Sequence, residues 1–181
     1  MFKEGFKILD GGMGQELLAR GVKPISNLWS ATALMNKDYH QIIKDCHLDF
    51  INSGAEIILT NTFGCRRRRL EENQIENRFE ELNTTAVKLA KQSVKESGKK
   101  VLIAGSLPPQ NFTYLPELGD KKKMQQNFYD QAKILNGGVD LFYLDVLSSF
   151  DEIEIAVQSI RDFNKPFVIG IHFKKNGLLP S

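Results

Sequence analysis

The chain has 181 residues, of which 41% are hydrophobic and 25% charged, with a formal net charge of +2. These are the proportions of one globular domain with mass enough for a real core, not of a disordered or fibrous chain. A charge this small gives no ground for a nucleic-acid or membrane partner.

Lys7 to Asp10 ends a first strand, and the stretch Asp10-Gly11-Gly12-Met13-Gly14 follows it. The spacing of these glycines is neither that of a dinucleotide fingerprint nor that of a Walker loop. Gln15 to Arg20 reads as a short helix closed by Gly21, and the lone Trp29 reads as a core residue. Asn36 is placed to cap a helix carrying Tyr39, Ile42, Ile43, Cys46 and Phe50 on one face, with Gly54 at its end. That face makes Cys46 a core residue and puts the adjacent His47 at the boundary or surface. Glu56 to Thr62 is a second strand with a polar end.

The run Arg66 to Arg69 reads as a solvated helix face, as does Lys121 to Lys123. A long amphipathic helix is expected from about Asn73 to Ser97, with Ile75, Phe79, Leu82, Ala86, Leu89, Ala90 and Val94 inward. Val101 to Ser106 is a third strand, ended by Leu107-Pro108-Pro109 and a loop to about Gly119. Met124, Phe128, Ala132 and Leu135 mark the next helix, and Leu141 to Val146 the fourth strand. Ser149 and Glu152 form a capping-box pair for a further helix. Pro166 precedes a fifth strand, Phe167 to Phe173, and a turn is expected over Lys174 to Gly177.

Strands and helices thus alternate, and the strands are near-continuous apolar runs. That is the signature of a parallel sheet covered by helices, an α/β fold. In such folds the carboxyl ends of the strands share one rim, where ligands bind. Asp10, Asn61 with Thr62, Ser106, Asp145 and His172 stand at those ends. Asp10 and Asp145 each follow an apolar run directly. Two carboxylates on one rim can hold an amino group, a cation or a metal, or work as an acid/base pair, and the residues do not choose among these. His172 reads first as a structural histidine.

With these residues in view, the chain resembles the homocysteine S-methyltransferase family. The likeness is carried by Leu9-Asp10-Gly11-Gly12-Met13-Gly14, Leu28-Trp29-Ser30-Ala31, Gly54-Ala55-Glu56-Ile57-Ile58 and Thr60-Asn61-Thr62-Phe63. It continues through Ala104-Gly105-Ser106-Leu107-Pro108-Pro109 with Tyr114, and Gly138-Val139-Asp140-Leu141. The resemblance implies a (β/α)8 TIM barrel, with this chain supplying about the first five βα units. It implies transfer of a methyl group from a sulfonium, betaine or folate donor to the thiol of homocysteine, giving methionine. It implies that Asp10 and Gly11 contact the bound amino acid, and that the family's acid at the end of strand four falls on Asp145; by their place at strand ends, Asn61 and Ser106 join them as candidate substrate-binding residues on the rim. The family shows Glu followed by Thr at that acid, where this chain has Asp145-Val146, an acid shorter by one methylene.

The resemblance also implies a zinc ion held by three cysteines, one after strand six and a pair near strand eight. Cys46 and Cys65 match neither position. A free thiol has a pKa near ~8.5, and zinc is what deprotonates it and fixes it for attack. The expectation is therefore a single, truncated barrel domain over residues 1–181 that lacks the zinc cysteines. Its alternative is a non-catalytic half-barrel working only as a subunit, with a complementary chain or another copy covering its open sheet edges. Two cysteines without a partner spacing, no signal-peptide pattern and no membrane-length apolar run give a cytoplasmic, reduced protein as the expectation.

Overall fold

A computed structural model of the chain describes residues 5–175. The first strand is shorter than its sequence suggests. The Glu56 and Ile57 amides donate to Ile8 O at 2.9 and 3.2 Å, and the Asp10 amide donates to Ile57 O at 3.0 Å. These bonds amount to an isolated parallel bridge from Leu9 to Ile57 and not a ladder. No strand flanks its other side among the described residues, and Gly11-Gly12 follow at once, so little holds the backbone extended.

Helix α1 (Met13–Ala19) comes next, then a 3-10 turn over Ser26–Ala31 and the single turn α2 (Thr32–Met35). The Asn36 side chain accepts from the Asp38 amide at 3.0 Å and opens the turn that leads into α3 (His40–Asn52). Ile43 and Cys46 face the core, as their spacing predicts. His47 does not lie at the surface: it is 0% exposed, and neither ring nitrogen has a partner among the described residues. Its helix is covered over more of its circumference than the apolar stripe alone indicates.

Strand β1 (Ile57–Leu59) is followed by α4 (Arg67–Glu72) and α5 (Phe79–Ser97). The long helix starts only at Phe79 because Gln74 takes a φ of 57° and a 3-10 turn occupies Glu76–Arg78. Gly98, at φ 63°, closes it in the left-handed conformation that glycine adopts without penalty. Strand β2 (Leu102–Leu107) leads through a long loop to α6 (Lys121–Asn136), capped by the Asp120 carboxylate on the Lys122 and Lys123 amides. Strand β3 (Leu141–Leu147) precedes α7 (Phe150–Ile160), where Ser149 Oγ accepts from the Glu152 amide at 3.3 Å as the capping pair predicts. Strand β4 (Phe167–Ile171) ends the sheet, and the turn expected over 174–177 runs past the last described residue.

All strand pairs are parallel, in the order β1-β2-β3-β4. A doubly wound sheet reverses its strand order at a switch point; this one never does, which is how a barrel wall grows. Ile58, Ile103, Leu107, Phe142 and Leu144 pack beneath the helices in the main core. Alternate residues on the other face, Ile57, Ala104 and Leu141 with Leu59, Leu102, Tyr143 and Val168, pack only on one another. The last four of these remain partly exposed. The architecture is the α/β wall of a partial (β/α)8 barrel.

Candidate functional site

The rim at the strand ends holds a cavity of about 370 Å³. Asp10, Gly11, Asn61, Ser106 and Asp145 all line it, with Trp29, Thr60, Tyr114 and Tyr143. Asp10, Asn61, Ser106 and Asp145, the polar ends of four successive strands, converge there, and each is fixed by a specific contact.

Asp10 Oδ2 accepts from the Leu59 amide at 2.9 Å, which ties the end of the first strand to β1. Burial pushes its carboxyl up to about 7; the Leu59 amide opposes the rise and the nearby Asp145 charge adds to it. Asp145 Oδ2 accepts from Ser106 Oγ at 3.0 Å, and burial pushes its carboxyl up to about 6 against that hydrogen bond. Two acids that repel and are short of water lose much of this cost when a cation enters between them. The aim of Asp145 comes from an irregularity: the β3–β4 register shifts between Leu144 and Leu147, and Val146 sits at φ 59°. A β-branched residue there is strained, and bulges of this kind re-aim side chains at functional rims.

Ser106 is part of a buried polar ladder. Its amide donates to Thr60 Oγ1 at 3.1 Å, its carbonyl accepts from Thr62 Oγ1 at 2.7 Å, and the two threonine hydroxyls lie 2.9 Å apart. Behind it, Gln131 Nε2 donates to Thr62 O and Asn83 Oδ1 at 3.2 and 3.0 Å, while Gln131 Oε1 accepts from Gln110. Asn61 donates to Ser30 O at 3.0 Å and so holds the turn that carries Trp29.

Trp29 is a wall of the cavity, not a core residue. It is 38% exposed, with φ 53° and ψ −127°, and its Nε1 occupies the space where a Gly14 side chain would start. A Cβ on Gly11 would likewise meet the Phe50 ring at 2.7 Å. The glycine-rich turn thus lets an indole and a phenyl ring close on the backbone. Tyr143 lies on the floor, with its hydroxyl over Gly170; burial first, then Asp145 and Asp10, raise its phenol. Tyr143 was legible as the residue between Leu141 and Asp145 on one strand face, whereas nothing local marked Trp29. His172 stands outside the lining: its amide donates to Leu147 O, and its ring meets Tyr114 edge-on at 4.9 Å.

The arginine run is not simply a solvated face either. Arg67 pairs with Asp130 at 2.8 Å and Arg68 with Glu72 at 2.9 Å, but Arg66 is 4% exposed. Lys121 and Lys123 remain exposed, paired with Asp151 and Glu71.

The described residues do not fit the zinc site that the resemblance implies. They contain no cluster of three or more His, Cys, Asp or Glu able to hold a metal ion. Cys46 and Cys65 are buried in the core beneath α1–α5, and burial pushes their thiols up to about 11 and about 12. Among the described residues, no helix is long and apolar enough to cross a membrane.

Comparison with known proteins places this geometry. Residues 7–181 match the family described as Homocysteine S-methyltransferase. The chain is 26% identical to Homocysteine S-methyltransferase 2 of Saccharomyces cerevisiae, over 95% of its own length and 58% of that protein. It is 28% identical to Homocysteine S-methyltransferase of Escherichia coli, over 89% of its own length and 56% of that protein. It superposes on the crystal structure of the E. coli homocysteine methyltransferase MmuM in its metallated form with a TM-score of 0.84 and 23% identity, covering 98% of this chain and 67% of that one. The chain therefore spans somewhat over half the length of the curated relatives it matches.

Proposed function

The chain belongs to the homocysteine S-methyltransferase family, and on that premise we propose that its rim cavity holds the amino-acid end of homocysteine for methylation of the thiol. Asp10 and Asp145 accept hydrogen bonds from the α-ammonium group, whose charge returns both carboxyls to the ionised form. Ser106 holds Asp145 in place, Asn61 holds the Trp29 turn, and Gly11, with the Phe50 ring behind it, contributes its backbone to the cavity wall. The convergence of two buried, mutually repelling carboxylates in one cavity carries this reading.

In the reaction the homocysteine sulfur loses its proton and forms a bond to the methyl carbon, while the donor keeps the electron pair of the bond that breaks. Aromatic walls beside carboxylates suit an onium donor, a sulfonium or quaternary ammonium, better than an anionic folate. In the family zinc supplies the deprotonation of sulfur, and the described residues offer no donor set for it.

A second reading, binding without turnover until further strands complete the barrel, is favoured by the partly exposed inner layer of Leu59, Leu102, Tyr143 and Val168. One experiment separates the two. Homocysteine binding is measured by calorimetry, and methionine formation is then followed with S-methylmethionine, betaine or S-adenosylmethionine in the presence of zinc. Binding with turnover supports the first reading and binding alone the second. Absence of binding sinks both.

A further inference from the structure

The loop from Pro108 to Gly119 has no regular structure, yet it brings Tyr114 to the wall of the cavity. Tyr114 is 56% exposed and sits at φ 67°, so neither burial nor backbone preference keeps it there. The two residues before it are tied down. Arg66 Nη1 donates to Thr113 Oγ1 at 3.0 Å, and the Arg68 guanidinium lies 3.8 Å above the Phe112 ring while its Nε donates to Glu72.

Arg66 is an expensive anchor. Its guanidinium is buried and makes no ion pair among the described residues, its Nε has no partner there, and its one hydrogen bond there is the one to Thr113. A buried guanidinium kept only for stability is normally paired directly with a carboxylate. Here the charges of Glu72 and Glu152 reach it without an ion pair, it lies 5.7 Å over the Phe63 ring, and its hydrogen bond goes to the loop. Because Arg66 stands directly after the 3-10 turn that follows β1, it transmits the position of the rim itself.

We propose that Arg66 and Arg68 clamp the 108–119 loop through Thr113 and Phe112, and that Arg66 is thereby a positioning residue for Tyr114 as a wall of the ligand cavity. The proposal rests on the reading of the rim as a ligand site. Its test is a double-mutant cycle on the full chain, with homocysteine as the probe. Thr113→Val removes the acceptor and keeps the shape; it should weaken binding about three- to ten-fold and should have no further effect in a Tyr114→Ala background. Thr113→Ser should restore wild-type affinity. Chymotryptic cleavage after Phe112 and Tyr114 should accelerate several-fold in Thr113→Val at an unchanged midpoint of unfolding, and likewise in Arg66→Met if that variant folds.

Unchanged affinity and cleavage in Thr113→Val overturn the clamp while leaving the ligand site standing. Effects of Thr113→Val and Tyr114→Ala that simply multiply overturn the route through Tyr114. Failure of the wild-type chain to bind homocysteine overturns the ligand reading and this proposal with it.

Discussion

Replacing Gly14 with alanine probes how the glycine-rich turn builds the cavity. The new Cβ would stand 2.0 Å from Trp29 Nε1, 2.9 Å from Cδ1 and 3.0 Å from Cε2. Non-bonded heavy atoms settle near 3.5–4.0 Å, so the indole must retreat by about 1.5 Å. Alanine gains up to about 1 kcal/mol of helix propensity in α1, while a methyl forced into a packed contact costs about 1–3 kcal/mol. The two nearly offset, so the loss of stability stays below about 2 kcal/mol. The ring position changes more, because Asn61 holds the adjacent Ser30 carbonyl and leaves the side chain to move. Trp29 is the only tryptophan, so its fluorescence reports the displacement without interference. Gly14→Ala should red-shift the emission, increase acrylamide quenching and weaken homocysteine binding. Gly12→Ala is the control, since its Cβ meets nothing nearer than Gln15 Cγ at 3.8 Å. Identical emission and affinity in Gly14→Ala and wild type would refute the close approach and the role of Trp29 as a wall.

Three further outcomes follow from the buried polar groups. Burial holds the His47 imidazole down to about 4, below its usual ~6.5, so the fold loses stability as pH falls from about 6.5 towards 4. His47→Leu should remove that loss, a gain on the order of 2 kcal/mol at pH 5 relative to pH 7.5 in urea titrations. Asp10 and Asp145 act in the opposite sense: their carboxyls are raised, so they favour the fold at low pH, and that contribution disappears as pH rises through about 6 to 7. Asp145→Asn should flatten the decline in stability between about pH 4 and 6; an unchanged slope would contradict the burial of that acid. Gln131→Leu strands Asn83 Oδ1, while Thr62 O keeps the Cys65 amide and Gln110 Nε2 keeps Pro108 O, and should cost about 1–3 kcal/mol by denaturant unfolding.

Much of this architecture is legible in the sequence because it rests on period. Apolar runs such as Leu141 to Leu144, separated by amphipathic helices, leave a parallel sheet as the only economical arrangement. The polar residue that ends each run, Asp10 or Asp145, follows from the same logic, since convergence of strand ends is a property of the fold. What was not legible depends on distant contacts. Trp29 becomes a wall because Gly14, far from it in sequence, leaves room for its ring. His47 is buried by elements its own helix does not encode. Arg66 looks like any member of a basic run until a loop more than forty residues later places Thr113 beside it. The shortening of the first strand reflects a missing neighbour, which a strand's own residues cannot report.

The most direct test of the central claim is calorimetric titration of homocysteine into the chain and into Asp10→Asn at pH 7.5. A carboxylate–ammonium hydrogen bond contributes about 1.5–3 kcal/mol, so the account predicts saturable binding that weakens roughly 10- to 150-fold in the variant. No binding to the wild-type chain, or equal affinity in the two, would contradict it.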